Sequence, residues 1–165
     1  MRLYLIRHAD AVDPTENLER PLSTTGRHQV ALLAGFLHGN NAFRGVTSFW
    51  HSPLARARET AELLKAGLKL DLPLVETSGL LPEDAPKSIA SRIAKLQEAI
   101  ALVGHEPHLS ALASLLVEAN PEAPFFVFKK ATILALEKNR GGWSARWQIL
   151  PELLSAASPR PLAHG

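Results

Sequence analysis

Leu3-Tyr4-Leu5-Ile6-Arg7-His8 is the stretch that decides the fold. Four consecutive apolar residues are too few for a buried helix and read as a short buried strand, which breaks off at two ionisable groups. The pattern recurs. Val46-Thr47-Ser48-Phe49-Trp50-His51 halts at Ser52-Pro53, and Ile100-Ala101-Leu102-Val103 runs into Gly104-His105. Between these runs the apolar period lengthens to that of a helix. Val30, Leu33, Ala34 and Leu37 follow the capping residues Ser23-Thr24-Thr25-Gly26 and stop at Gly39-Asn40. Ala57, Thr60, Ala61 and Leu64 mark a second helix, ending near Gly67. Ile89, Ile93 and Leu96 mark a third from Pro86, a residue suited to a first helical turn, and Leu109, Leu112, Leu116 and Val117 a fourth from Pro107.

Residues 74–76 read as an edge strand. In the C-terminal third, residues 125–128, 132–136 and 143–149 read as strands, with Gly141-Gly142 as a hairpin signal between the last two. Strands alternating with helices predict an α/β fold, a three-layer α/β/α sandwich around a mainly parallel sheet with an antiparallel portion at its end. One domain is expected over residues 1–150. The Pro-, Ser- and Ala-rich residues 151–165 are expected to form a loose tail.

Composition narrows the function. The 165 residues are 46% hydrophobic and 21% charged, the balance of an ordinary globular domain. Without cysteine there is no disulfide, thiol catalysis or thiolate metal site. The second charge, at Arg7, comes too early for a secretory core segment, and no apolar run approaches the ~20 residues that cross a bilayer. A cytoplasmic protein with no membrane partner is expected. The net charge is +2, with no basic block to mark a nucleic-acid binder.

Open α/β sheets bind ligands beyond the carboxyl ends of their strands. If the three runs are parallel neighbours, Arg7 and His8, His51 to Arg56, and Gly104-His105 converge on one edge. Two guanidiniums and two imidazoles facing one space suit a phosphoryl group. Arginine offers a permanently charged planar fork, and a neutral histidine can attack, donate or accept a proton. Each element alone has a plainer reading: a surface turn for Arg7-His8, a solvated Arg56, a strand-to-helix turn at His105. Together they make coincidence the poorer account. No metal is expected. His105 and His108 are separated by Pro107 in a spacing unlike that of zincins, and Arg7 and Arg56 would repel a cation.

These residues are similar to the histidine phosphatase (phosphoglycerate mutase-like) superfamily. The resemblance runs from Leu3 to about Leu136 through Leu5-Ile6-Arg7-His8-Ala9, Arg20-Pro21-Leu22-Ser23-Thr24-Thr25-Gly26, Ser52-Pro53-Leu54-Ala55-Arg56-Ala57-Arg58-Glu59-Thr60-Ala61, and Val103-Gly104-His105-Glu106-Pro107. The short length and the Arg-Pro-Leu-Ser segment look most like the short SixA-type phosphohistidine phosphatases. Ala9 stands where a glycine is common, a change also seen in that branch.

The resemblance implies a phosphoglycerate mutase-like fold and a covalent mechanism without a cofactor. His8 attacks phosphorus, and Arg7, Arg56 and His105 hold the oxygens, with Arg20 as a further phosphate or substrate ligand. Ser52 would orient His8 or cap the next helix. The general acid of many members falls in Leu80-Leu81-Pro82-Glu83-Asp84, where Glu83 and Asp84 are the candidates. The weak motif there leans toward a phosphoramidate, whose imidazole leaves more easily than an alkoxide. The expected substrate is phosphohistidine on a protein. The alternatives are a small phosphate ester, or a non-catalytic module that binds a phosphorylated ligand.

Overall fold

The computed structural model describes residues 1–118 and 125–155. Six strands form one sheet: β1 (Arg2–Arg7), β2 (Val46–His51), β3 (Leu74–Glu76), β4 (Ala99–Gly104), β5 (Ile133–Asn139) and β6 (Gly142–Ile149). Their order is β3-β2-β4-β1-β5-β6. β3, β2, β4 and β1 are mutually parallel, β5 runs antiparallel to β1, and β6 turns back again. β5 is thus the one strand that starts at the edge where the others finish.

Period-two alternation builds the layers. On β1, Tyr4 and Ile6 face one side with Ala101, Val103, Ile133 and Ala135 of the neighbouring strands. Helices α1 (Thr24–Gly39) and α2 (Ala55–Gly67) cover that side through Val30, Leu33, Leu37, Ala57, Ala61 and Leu64. Leu3 and Leu5 face the other side with Ile100, Leu102, Leu134 and Leu136, under α3 (Pro86–Ile93) and α4 (His108–Glu118). Each fully buried Leu or Ile of this kind contributes about 1.5–3 kcal/mol. The three-layer α/β/α sandwich expected from the sequence is what forms.

Two expectations are corrected. Residues 125–128 alternate exposed and buried as a strand would but join no ladder. Their backbone groups are taken by side chains instead: Phe125 N–H donates to Ser114 Oγ, Val127 O accepts from Gln148 Nε2, and Phe128 O accepts from Arg7 Nη1. Residues 151–155, read as tail, form the short helix α5 (Pro151–Ser155) against α1, anchored by buried Pro151. Residues 156–165 lie outside the described residues. No described helix is long and apolar enough to cross a membrane.

The chain leaves β1 for α1 on one face, while the adjacent β4 leaves for α4 on the other. The carboxyl ends of β1 and β4 are therefore the switch point at which such sheets take ligands.

Candidate active site

His8 and His105 follow β1 and β4 directly, and Arg7 pairs in register with Gly104, so the two imidazoles emerge side by side. Their ring centroids are 5.0 Å apart at an interplanar angle of 53°. His8 N–H donates to Gly104 O at 3.0 Å, and Ser52 N–H donates to Val103 O at 3.0 Å, which brings the exit of β2 to the same edge.

The His8 ring is fixed by its Nδ1, which donates to Ala9 O at 2.7 Å. The carbonyl can only accept, so the proton sits on Nδ1 and Nε2 keeps its lone pair. Burial first, then the charges of Lys130, His105 and Arg56, bring the His8 pKa down to about 2 against the pull of the Ala9 carbonyl. Burial and Arg56, with His108, Lys130 and Arg7, lower His105 to about 3. Both rings are neutral at physiological pH.

His105 Nε2 lies 2.8 Å from Ser52 Oγ, while its Nδ1 is buried with no partner. Ser52 meets His105 rather than His8. Arg7 anchors one guanidinium nitrogen on Phe128 O at 2.5 Å, and its Nε is buried without an acceptor, as is Arg56 Nε. Burial lowers both guanidiniums, which stay charged. Buried polar groups are normally bonded. Unmet donors on two arginines and an unmet nitrogen on His105 make a cluster that lacks an acceptor.

The remaining motif residues build this cluster. Thr60 Oγ1 accepts from Ala9 N–H at 3.0 Å and donates to Arg56 O at 2.7 Å, tying α2 to the exit of β1. Glu59 Oε2 accepts from Leu22 N–H and from Arg27 Nη2, clamping the loop before α1. Ser23 caps α1 by accepting Gly26 N–H and donates to Asp10 Oδ2 at 2.6 Å. Gly26 has to be glycine, because a Cβ there would stand 2.0 Å from Asp10 O. Arg20, at φ 50°, donates from Nε to Val12 O and acts on Arg56 and Lys130, so its charge faces the same bowl.

Glu83 is exposed, and Asp84 accepts Leu81 N–H at 2.8 Å and acts on His108. Glu106 faces Arg7 but is bonded to Ser110 N–H and Oγ at the start of α4. His108 is buried with both ring nitrogens unpartnered. Among the described residues no group of three or more His, Asp or Glu is placed to hold a metal ion.

Sequence reasoning missed Lys130, which acts on both imidazoles. The signal lay in Lys129-Lys130 just before β5, but it is readable only once that strand is known to run backwards.

The profile of the histidine phosphatase superfamily (branch 1) matches residues 3–81. An uncharacterized protein of Picosynechococcus sp. (strain ATCC 27264 / PCC 7002 / PR-6) is 35% identical over 144 residues, 82% of this chain and 84% of that protein. The chain belongs to the histidine phosphatase superfamily. Phosphohistidine phosphatase SixA of Escherichia coli (strain K12) is 28% identical over 159 residues, 92% of this chain and 94% of SixA. Among solved structures, the protein histidine phosphatase SixA complexed with tungstate superposes with a TM-score of 0.80 at 24% identity, covering 93% of this chain and 99% of that one. The alpha-ribazole phosphatase from Shigella flexneri superposes at 0.71 and 19% identity, covering 92% and 96%. At these identities the superpositions speak for the fold. The similarity to SixA along 92% of the chain puts it with the SixA-type branch, and the superposition on SixA gives it the phosphoglycerate mutase-like fold.

Proposed function

We propose that this phosphatase hydrolyses phosphohistidine on a protein through a phosphohistidine intermediate of its own. The observation that carries the reading is the His8 ring: Nδ1–H is spent on Ala9 O, so a buried, neutral ring offers Nε2 as a nucleophile. Nε2 attacks phosphorus as the bond to the substrate's imidazole breaks, and that ring leaves neutral with a proton from solvent. Water then attacks the phosphoryl group on His8 and releases inorganic phosphate.

Arg7, Arg56 and His105 hold the equatorial oxygens. The buried donors Arg7 Nε and Arg56 Nε lack the acceptors that a phosphoryl group provides. If Ser52 Oγ–H donates to His105 Nε2, the ring proton sits on Nδ1, the unpartnered atom, ready for a phosphoryl oxygen. Arg20 extends the cationic surface outward.

Glu83 and Asp84 bear on the leaving group. Glu83 is exposed and Asp84 accepts Leu81 N–H, which suits an imidazole that needs little help over an alkoxide that needs an acid. The similarity to SixA along 92% of the chain supports the same substrate class. A small phosphate ester is the second reading, favoured by the likeness to an alpha-ribazole phosphatase.

Incubation with a ³²P-phosphohistidine protein, followed by alkaline quench, should leave acid-labile label on the wild type and none on His8→Ala. Label on the mutant would remove His8 as nucleophile. Faster turnover of one small ester than of the phosphoprotein would favour the second reading.

A further inference from the structure

Because β5 alone runs against the other strands, the turn that enters it lies where β1, β2 and β4 end. That turn is fastened to the exit of β1. Ala131 N–H donates to His8 O at 3.2 Å, Arg7 N–H donates to Thr132 O at 3.0 Å, and Thr132 N–H closes on Lys129 O at 3.1 Å. Ala131 is fully buried at φ 58°, a left-handed conformation costly for a residue with a Cβ. The fold therefore fixes Lys130 one residue from the backbone that touches His8.

The two lysines of this turn differ. Lys129 is exposed and paired with Glu152 at 2.9 Å. Lys130 is half-buried and forms no ion pair among the described residues. The charges acting on it are Arg7 from β1, Arg56 from α2, and Arg20 and Asp10 from the loops before α1. His8 and His105 feel it in turn, and both are neutral. Asp10, the one carboxylate of the group, already accepts from Ser23 Oγ. Three guanidiniums against one carboxylate is an arrangement that repels an ammonium, and a dianion between them would reverse the balance.

We infer that Lys130 is a further ligand of the phosphoryl group, closing the cationic bowl from the β5 side; this rests on the phosphatase reading above. Burial, with Arg7, Arg20 and Arg56 and against Asp10, brings the Lys130 pKa down to about 8. The free enzyme loses this charge in mildly alkaline solution, and a bound dianion restores it by proton uptake.

Titration calorimetry with inorganic phosphate tests this without turnover, on wild type, Lys130→Met, Lys130→Arg and Arg56→Ala at pH 7.0 and 9.5. Wild-type affinity should fall by nearly tenfold, roughly to that of Lys130→Met, between the two pH values. Lys130→Met should bind about tenfold more weakly at pH 7.0 and change little by 9.5. Lys130→Arg should hold its pH 7.0 affinity throughout. Lys130→Met binding as tightly as wild type, with Arg56→Ala weakened, overturns the inference alone. A wild-type pH dependence shared by Lys130→Arg also overturns it. Phosphate that fails to bind wild type, or that binds Arg56→Ala equally well, overturns the phosphoryl-site reading and the inference with it.

Discussion

Ser52 Oγ and His105 Nε2 are 2.8 Å apart, so the residue that follows β2 sets the ring that follows β4. Neither group has solvent as an alternative partner, since Ser52 is fully buried and His105 nearly so. Ser52→Ala should leave Nε2 buried and unbonded, a cost of about 1–3 kcal/mol. Spent on the orientation of His105, that corresponds to about a 5- to 150-fold drop in kcat/KM. Steady-state kinetics on a phosphohistidine protein checks it, and an unchanged kcat/KM would show that His105 holds its place without the hydroxyl.

Thr60 is the hinge between two parts of the site, since one hydroxyl serves Ala9 N–H and Arg56 O. Thr60→Val keeps the shape and removes both bonds. The buried Ala9 N–H then has no acceptor, and urea denaturation should register a loss of about 1–3 kcal/mol. Activity should fall as well, because Ala9 O orients His8.

Two glycines on α1 make a controlled comparison. At Gly26 a Cβ would meet backbone at 2.0 Å, and Gly26→Ala should destabilise by more than about 2 kcal/mol or displace Asp10. At Gly35 nothing lies within 4 Å, and Gly35→Ala should stabilise by roughly 0.5–1 kcal/mol through helix propensity. Thermal melts of the two variants should move in opposite directions. A shared direction would contradict the packing of α1 on Asp10.

What the sequence made legible follows from which signals are local. Leu3, Leu5, Ile100 and Leu102 declare buried strands by themselves, and the breaks at Arg7-His8 and Gly104-His105 declare their ends. That both breaks meet is a matter of strand order, which the four-residue runs do not carry. Residues 125–128 show the limit of alternation. Phe126 and Phe128 turn inward as they would on a strand, yet side chains of Arg7, Ser114 and Gln148 take the backbone. Lys130 stayed hidden because its importance depends on the reversed direction of β5. Glu59 and Thr60 were visible as motif residues, but their hydrogen bonds to the loops after β1 are tertiary facts.

The neutral imidazole of His8 also ties stability to pH. Unfolded, it titrates near 6.5; folded, at about 2. Between those values the unfolded chain binds the extra proton, so stability is full above pH 6.5 and falls as pH drops toward 2. The contribution is about 1.4 kcal/mol per pH unit. Unfolding free energies from urea titrations at pH 5.5 and 4.5 should show a slope shallower by about that amount in His8→Asn. An identical slope would mean that His8 is protonated in the folded protein.

Two exposed apolar residues give a way to tell a protein substrate from a small one. Leu18 is 90% exposed two residues before Arg20, and Val127 is 73% exposed beside Phe128, whose carbonyl receives Arg7. Scattered exposed apolar residues are ordinary, but if these two lie at the mouth of the site they offer contact to a surface that carries the phosphoryl group. A small ester held by its phosphate would not reach them. Leu18→Ser and Val127→Ser should therefore each lower kcat/KM on a phosphohistidine protein about three- to tenfold, the effect of one lost apolar contact at roughly 1 kcal/mol. The same variants should leave turnover of free phosphoramidate within twofold of wild type. Equal losses on both substrates would mean that the substitutions disturb Arg20 or Arg7. No loss on either would take the protein surface away from these two residues and strengthen the case for a small ester.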